Sequence, residues 1–365
     1  MKLLLVAFVL IWGPVWGTTA RAEKPAELKG CEVGKACTLE LPGMLCADGT
    51  PAFYSVTLRE NAQNLAIYVD GGGACWSAES CANPLFVRNL TRPKKFRGDW
   101  TDGQGLWNSK DARNPFATNY NIVSIPYCTA DAHMGSRTAV YQIKGKPVTI
   151  RHVGYNNLRL AFAKIKELVP SPERAVLMGT SGGGLGVAFH MRHFNDLYPD
   201  AKKYVIDDAG LPFLPQFLQG PGYASAIGSW GAQDNFPSDS AQLKTFGDLL
   251  DFNRRNFPDI KFGFIQSYGD MVMMMFASAL GAKVPGNVVR DTSVEAARTH
   301  IGELNPSQKV FFFDNLQHCH LFMPMEKQIS EKVALRDWIM EMVTDGKRWR
   351  NVIPDPTLLD QSQNN

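Results

Sequence analysis

The chain has little excess of either charge, with 38 Lys and Arg against 35 Asp and Glu in 365 residues, a formal net charge of +3. So balanced a surface argues against nucleic acid or an acidic surface as partner. After its first dozen residues no segment is long and apolar enough to cross a bilayer. Internal repeats are lacking, as is a Lys behind the glycine-rich turn near residue 180 that a P-loop would require. No Cys-x-x-Cys pair occurs, which weakens any reading of the seven cysteines as metal ligands. With 45% hydrophobic and 20% charged residues, the composition is that of a globular protein with ample core, and disorder and collagen-like structure are set aside.

What is present begins with an export signal. Lys2 precedes an apolar run from Leu3 to Trp12, and Ala20-Arg21-Ala22 has the small-x-small pattern of a cleavage site. A membrane anchor is the alternative, but Gly13-Pro14 interrupts the run well short of the ~20 residues that span a bilayer. Removal of a signal peptide after Ala22 is expected, giving a secreted or periplasmic protein. That removal takes away Lys2 and Arg21, two of the three net positive charges, and leaves about +1. Cys31, Cys37, Cys46, Cys75, Cys81, Cys128 and Cys319 all lie in the mature part, where disulfides persist. Cys75 and Cys81 are close enough in sequence to close a small loop, and the odd total leaves one thiol over. A zinc site around His318-Cys319-His320 is the rival reading.

From about residue 60 onward, short β-rich runs alternate with helical stretches, the pattern of a mainly parallel sheet flanked by helices. Strands are expected at 64–69, 120–126, 175–178, 204–206, 262–265 and 310–313. Helices are expected at about 156–168 and 185–198, with a closing helix at 326–342. The stretch from Leu211 to Leu243, rich in Gly, Pro, Ser and aromatics without a clean period, reads as an inserted cap or loop. A single domain over 23–354 and a loose tail over 355–365 complete the expected organisation.

The chemistry concentrates at Gly179-Thr180-Ser181-Gly182-Gly183, between an apolar strand and a helix. That context makes the pentapeptide a nucleophile elbow: glycines permit a turn too tight for side chains, and the serine hydroxyl is lifted to the end of the sheet. Read alone, such a run is equally a structural glycine turn. A nucleophilic serine needs an acid and a histidine after it in the chain. Asp270 follows the 262–265 strand and His318 the 310–313 strand; Asp207 or Asp208 are competing acids that would equally cap a loop, and His320 is a competing base. Asp270 is preferred because the usual acid sits one strand later than the Asp207-Asp208 pair. Gly71-Gly72-Gly73, at the end of the 64–69 strand, suits an oxyanion loop, since glycines let backbone N–H groups approach a substrate.

Taken in order, Gly71-Gly72-Gly73-Ala74-Cys75-Trp76, Asn114-Pro115-Phe116, Ile125-Pro126-Tyr127-Cys128-Thr129-Ala130-Asp131-Ala132-His133-Met134-Gly135, Gly179-Thr180-Ser181-Gly182-Gly183 and His318-Cys319 resemble the pectin acetylesterase family, which includes plant pectin acetylesterases, Notum and bacterial secreted proteins. The resembling segments run from about residue 40 to 325. The resemblance implies an α/β-hydrolase fold, hydrolysis of O-acyl esters without a metal or other cofactor, and a Ser-Asp-His triad at Ser181, Asp270 and His318. The family's His-Cys pair is what favours His318 over His320. Oxyanion donors at Gly72, Gly73 and Gly182, and substrate contacts at Trp76 and His133, are implied as well. Plant members carry Trp directly after the three glycines, whereas here Ala74 intervenes and Trp76 comes later.

The expected substrate is an acylated carbohydrate or a small ester, with O-acetyl groups of a polysaccharide such as pectin first and longer acyl chains on protein or lipid as the alternative. A monomer is expected. A non-catalytic secreted binding protein is the reading from another class, and the intact Ser, Asp and His argue against it. Met271 to Phe276 reads as buried helix or as an adaptable acyl pocket. Tyr223, Trp230 and Phe236 read as packing or as sugar-stacking residues. Asn89-Leu90-Thr91 is a glycosylation acceptor in a eukaryotic secretory pathway.

Overall fold

The structure is a computed structural model that describes residues 31–87, 90–93, 105–218, 222–236, 243–282, 289–302 and 305–355. The expected signal peptide, the tail beyond Asp355 and Asn89 lie outside the described residues.

Among the described residues the elements follow one another as β1 (Cys37–Leu45), β2 (Pro51–Thr57), β3 (Asn64–Val69), α1 (Ala78–Ala82), β4 (Tyr120–Ile125), β5 (Arg137–Ile143), β6 (Lys146–His152), α2 (Gly154–Leu168), β7 (Arg174–Thr180), α3 (Gly182–Phe189), α4 (Met191–Leu197), β8 (Lys202–Asp208), α5 (Pro215–Leu218), α6 (Gly222–Trp230), α7 (Phe246–Asn256), β9 (Lys261–Ser267), α8 (Met271–Ala279), α9 (Val289–Ile301), β10 (Gln308–Phe313) and, after a two-residue-per-strand hairpin, α10 (Leu335–Val343). Eight strands form one sheet in the order β1-β2-β4-β3-β7-β8-β9-β10. From β4 to β10 every neighbour is parallel; β1 and β2 are antiparallel additions at one edge. This is the α/β-hydrolase arrangement, as expected.

All six strands read from the sequence lie in the parallel part, and each is apolar almost throughout because both faces are covered. Ala66, Tyr68, Val176, Met178, Tyr204 and Ile206 turn to one face, where Trp338, Ile339 and Met342 of α10 pack. Their alternating neighbours Ile67, Leu177 and Val205 turn to the other and are equally buried.

Several expectations on boundaries are corrected. The closing helix starts at Leu335 and not at residue 326, because Glu331 and Lys332 take left-handed φ of 47° and 62° and close the Ile329–Ser330, Val333–Ala334 hairpin. The helix after the elbow is two, broken at His190, whose φ of −89° and ψ of 5° serve as the end of α3 and the start of α4. The inserted segment is partly ordered: α5, α6 and a 3-10 turn at Ala232–Asn235 occupy it. Three disulfides join Cys31 to Cys37, Cys46 to Cys128 and Cys75 to Cys81, and Cys319 is buried outside them. The Cys46–Cys128 bond, spanning 82 residues, constrains the unfolded chain most, by about 4 kcal/mol in the loop-entropy picture.

Candidate active site

Ser181 stands between β7 and α3 with φ 54° and ψ −123°, a conformation that is costly for any side-chain-bearing residue. The turn closes because a Cβ at Gly179 would lie 2.2 Å from the Gly183 carbonyl oxygen; only glycine allows strand and helix to meet so closely. The Ser181 N–H donates to the Asp208 carbonyl at 2.8 Å, tying the elbow to the end of β8.

The glycine loop after β3 presses on this turn. A Cβ at Gly71 would sit 2.2 Å from the Thr180 carbonyl and 2.8 Å from Ser181 Cβ. Tyr68, fully buried, donates from its hydroxyl to Asp70 Oδ1 at 3.0 Å and meets Thr180 Oγ1 at 2.7 Å, and Gly71 N–H donates to the same Asp70 oxygen. Among the described residues the N–H groups of Gly72, Gly73 and Gly182 donate no hydrogen bond, which leaves them available to an incoming oxygen.

On the far side of β8, the Asp270 carboxylate follows β9 and the His318 ring follows β10. His318 Nδ1 donates to Asp270 Oδ2 at 2.8 Å. Asp270 Oδ1 accepts the N–H groups of Val272 and Met273, which start α8, so the acid is held from both oxygens. With Nδ1 carrying the proton toward the carboxylate, Nε2 keeps a lone pair. Asp270 is 2% exposed and His318 19%. The turn after β10 is bonded to the end of β8, where the His320 and Leu321 N–H groups donate to the Asp208 carboxylate. The Ser181 hydroxyl itself makes no hydrogen bond among the described residues.

The competitors are occupied elsewhere. His320 is fully buried, stacked on Phe313 at 4.0 Å, with Nε2 on Ser267 Oγ and Nδ1 on Gln328 Oε1; burial pulls it down to about 4. Asp207 accepts the N–H groups of Gly210 and Leu211, and Asp208 those of His320 and Leu321. Both act as loop caps, and burial raises both to about 7. His320 has both ring nitrogens taken, and among the described residues His318, Cys319 and His320 form no cluster of metal-ligand spacing. Among the described residues, the cluster of Cys75, Cys81 and His152 has metal-ligand spacing, but its sulfurs are joined in a disulfide.

Beside Ser181 and Gly182 opens a small apolar cavity of about 40 Å³, walled by Trp76, Phe217, Trp230, Phe246, Met273 and Phe276. The inserted segment roofs it: Trp230 Nε1 donates to the Cys75 carbonyl at 2.6 Å and Ser229 Oγ to that of Trp76 at 2.9 Å. Trp76 therefore faces the cavity. His133 does not: it is 2% exposed, its Nε2 donates to the Asp70 carbonyl at 2.8 Å, and burial lowers it to about 4. The ring supports the glycine loop from beneath, a correction to its expected place against substrate. Phe236 packs on Phe189, and the Tyr223 side chain lies outside the described residues.

Sequence reasoning missed Asp131, whose buried carboxylate accepts from Thr129 Oγ1, His133 N–H and Gly154 N–H and so anchors this support to α2. It also missed Phe217 and Phe246 as cavity walls, and no local signal marks either.

A strained serine on a strand-turn-helix junction and a carboxylate-bound histidine thus stand at the same edge of the sheet of an α/β-hydrolase fold. The pectinacetylesterase family model matches residues 37–221, and the chain belongs to that family. It is 26% identical over 197 residues to palmitoleoyl-protein carboxylesterase NOTUM of Drosophila melanogaster, covering 53% of this chain and 29% of that one. It is 28% identical over 190 residues to notum1a of Danio rerio, covering 51% and 36%, and 29% identical over 184 residues to pectin acetylesterase 4 of Arabidopsis thaliana, covering 46% and 41%. The chain thus spans between 29% and 41% of the length of these relatives. The crystal structure of the Drosophila Wnt deacylase Notum has a like fold, with a TM-score of 0.67 at 19% identity over 88% of this chain and 96% of that one.

Proposed function

We propose that the chain is an exported serine carboxylic ester hydrolase that removes O-acyl groups through an acyl-enzyme on Ser181. The observation that carries this reading is the Asp270–His318 pair, held at 2.8 Å on the sheet edge that also bears the strained Ser181. His318 Nε2 takes the Ser181 proton as Oγ attacks the ester carbonyl. Asp270 holds the tautomer and stabilises the imidazolium. The N–H groups of Gly72, Gly73 and Gly182 receive the developing oxyanion, each contributing about 3 kcal/mol. The alcohol leaves with the proton from His318, and water, activated by the same ring, releases the acid. No cofactor enters these steps. Three disulfides suit an oxidising compartment, and export follows from cleavage after Ala22. No helix among the described residues is long and apolar enough to cross a membrane.

The name of the plant relative points to acetylated pectin as substrate and that of the animal relatives to a palmitoleoyl protein. The apolar walls at Ser181 favour the hydrocarbon part of an acyl chain over a polar group there. Each methylene buried there contributes about 0.8 kcal/mol, or about fourfold in kcat/KM. Hydrolysis of p-nitrophenyl esters from acetate to dodecanoate, run beside acetyl release from pectin and xylan, separates the two. Rates climbing with chain length support the longer acyl group. A maximum at acetate, with acetyl release from pectin, supports polysaccharide deacetylation, and no hydrolysis of any ester sinks the esterase reading.

A further inference from the structure

We infer that Asp208 is a positioning residue that sets nucleophile and base in one frame, its main chain holding Ser181 and its side chain holding the turn that carries His318. This rests on the reading of Ser181 and His318 as nucleophile and base. The Asp208 carbonyl accepts the Ser181 N–H at 2.8 Å. Its carboxylate accepts the His320 N–H, at 3.0 Å on Oδ1 and 2.8 Å on Oδ2, and the Leu321 N–H at 2.8 Å on Oδ2.

What the carboxylate grips is the backbone just past a strained residue. Cys319, next to His318, has φ of 65°, a left-handed conformation that disfavours a side-chain-bearing residue. That conformation persists only where its surroundings over-determine it. Two N–H groups drawn onto one buried carboxylate supply that, and Gln317 Nε2 adds a bond to the Cys319 carbonyl at 3.0 Å. Released, Cys319 would relax toward ordinary φ, and the adjoining His318 ring would swing off Asp270. An amide at 208 has one acceptor oxygen and turns an N–H toward a donor, so it cannot hold both N–H groups in the same geometry. Asp207 is a natural control: it is equally buried, caps two N–H groups in the same manner, and its loop, at Gly210 and Leu211, carries no reacting group.

The test compares S181A, D208N, D207N, C319G and D208N/C319G on one p-nitrophenyl ester, with activity expressed per folded molecule. D208N is expected to lose about 10²-fold in kcat, as misplacement of a reacting group by about an ångström does, with KM within about twofold. D207N is expected to lose stability but keep kcat within about twofold. Glycine at 319 takes the left-handed turn without strain, so D208N/C319G is expected to return to within about tenfold of C319G. Unchanged kcat in D208N overturns the inference. So does a double variant that is inactive or unfolded, which also decides the matter if D208N alone does not fold. Activity surviving in S181A would instead sink the esterase reading beneath it.

Discussion

At the carboxyl edge of the sheet Asp207 and Asp208 are fully buried, hold backbone N–H groups, and are raised by burial to about 7. At the amino edge Asp345, one-third exposed, lies within ion-pair distance of Lys202, Lys261 and Arg174, and despite partial burial its bonds from Lys202, Tyr204 and Lys261 pull it down to about 2. The first edge uses carboxylates as clamps on main chain at a cost in stability, and the second uses one as the centre of a surface ion cluster. Of the eleven left-handed non-glycine residues among the described residues, six lie near the site, Ser181, Ala209 and Cys319 with Ala130, Ala132 and His133 beneath the glycine loop, while Asn61, Lys144, Glu331, Lys332 and Asp345 lie elsewhere. Each such residue costs on the order of 1–3 kcal/mol and is kept only by its surroundings.

The largest effects are expected at the proposed nucleophile and base. S181A is expected to lower kcat by roughly 10⁴-fold or more, measured by burst and steady-state release of p-nitrophenol, with little change in melting temperature. H318Q should lose on the order of 10⁴-fold. H320Q, by contrast, should lose no more than about tenfold in kcat and instead about 1–3 kcal/mol in stability, since it strips partners from buried Ser267 and half-buried Gln328. Equal kcat losses in H318Q and H320Q, determined on folded protein, would undo the assignment of the base.

Smaller effects separate the two edges by pH. Asp207 has a folded pKa raised from 3.8 to about 7, so the stability it contributes is present below about 4 and lost as pH rises through about 7. The melting temperature of D207N minus that of the wild type should therefore increase from pH 4 to pH 7. Asp345 has a folded pKa lowered from 3.8 to about 2, so its contribution is present above about 4 and lost as pH falls toward 2. D345N should cost about 1 kcal/mol at pH 7, a figure held down by solvent screening, and the deficit should vanish by pH 2. Parallel pH dependence of the two variants would show that the edges are not opposed.

The parallel strands were legible because two-sided burial writes them as unbroken apolar runs, and their expected limits fall within two residues of those found. β1 was not, since it is an edge strand with alternating exposure and Pro42-Gly43 inside it. The β5–β6 hairpin turns on Lys144 and Gly145, both at positive φ, and only the glycine announces such a turn. His133 read as a contact to substrate because a histidine inside a motif looks functional. Its burial beneath Asp70 comes from packing between segments 63 residues apart.

What the sequence by itself determined is the elbow at Ser181 and the small disulfide loop at Cys75 to Cys81, because each closes within a few residues and depends on local backbone freedom. It also placed Asp270 and His318 after strands in the right order. Only the tertiary structure decided that His318 and not His320 meets Asp270, that Asp207 and Asp208 are caps, and that Phe217, Phe246 and Phe276 wall one cavity. The His318–Asp270 and His320–Asp208 bonds join residues 48 and 112 positions apart, where hydrogen-bond geometry and desolvation, not local preference, select the partner.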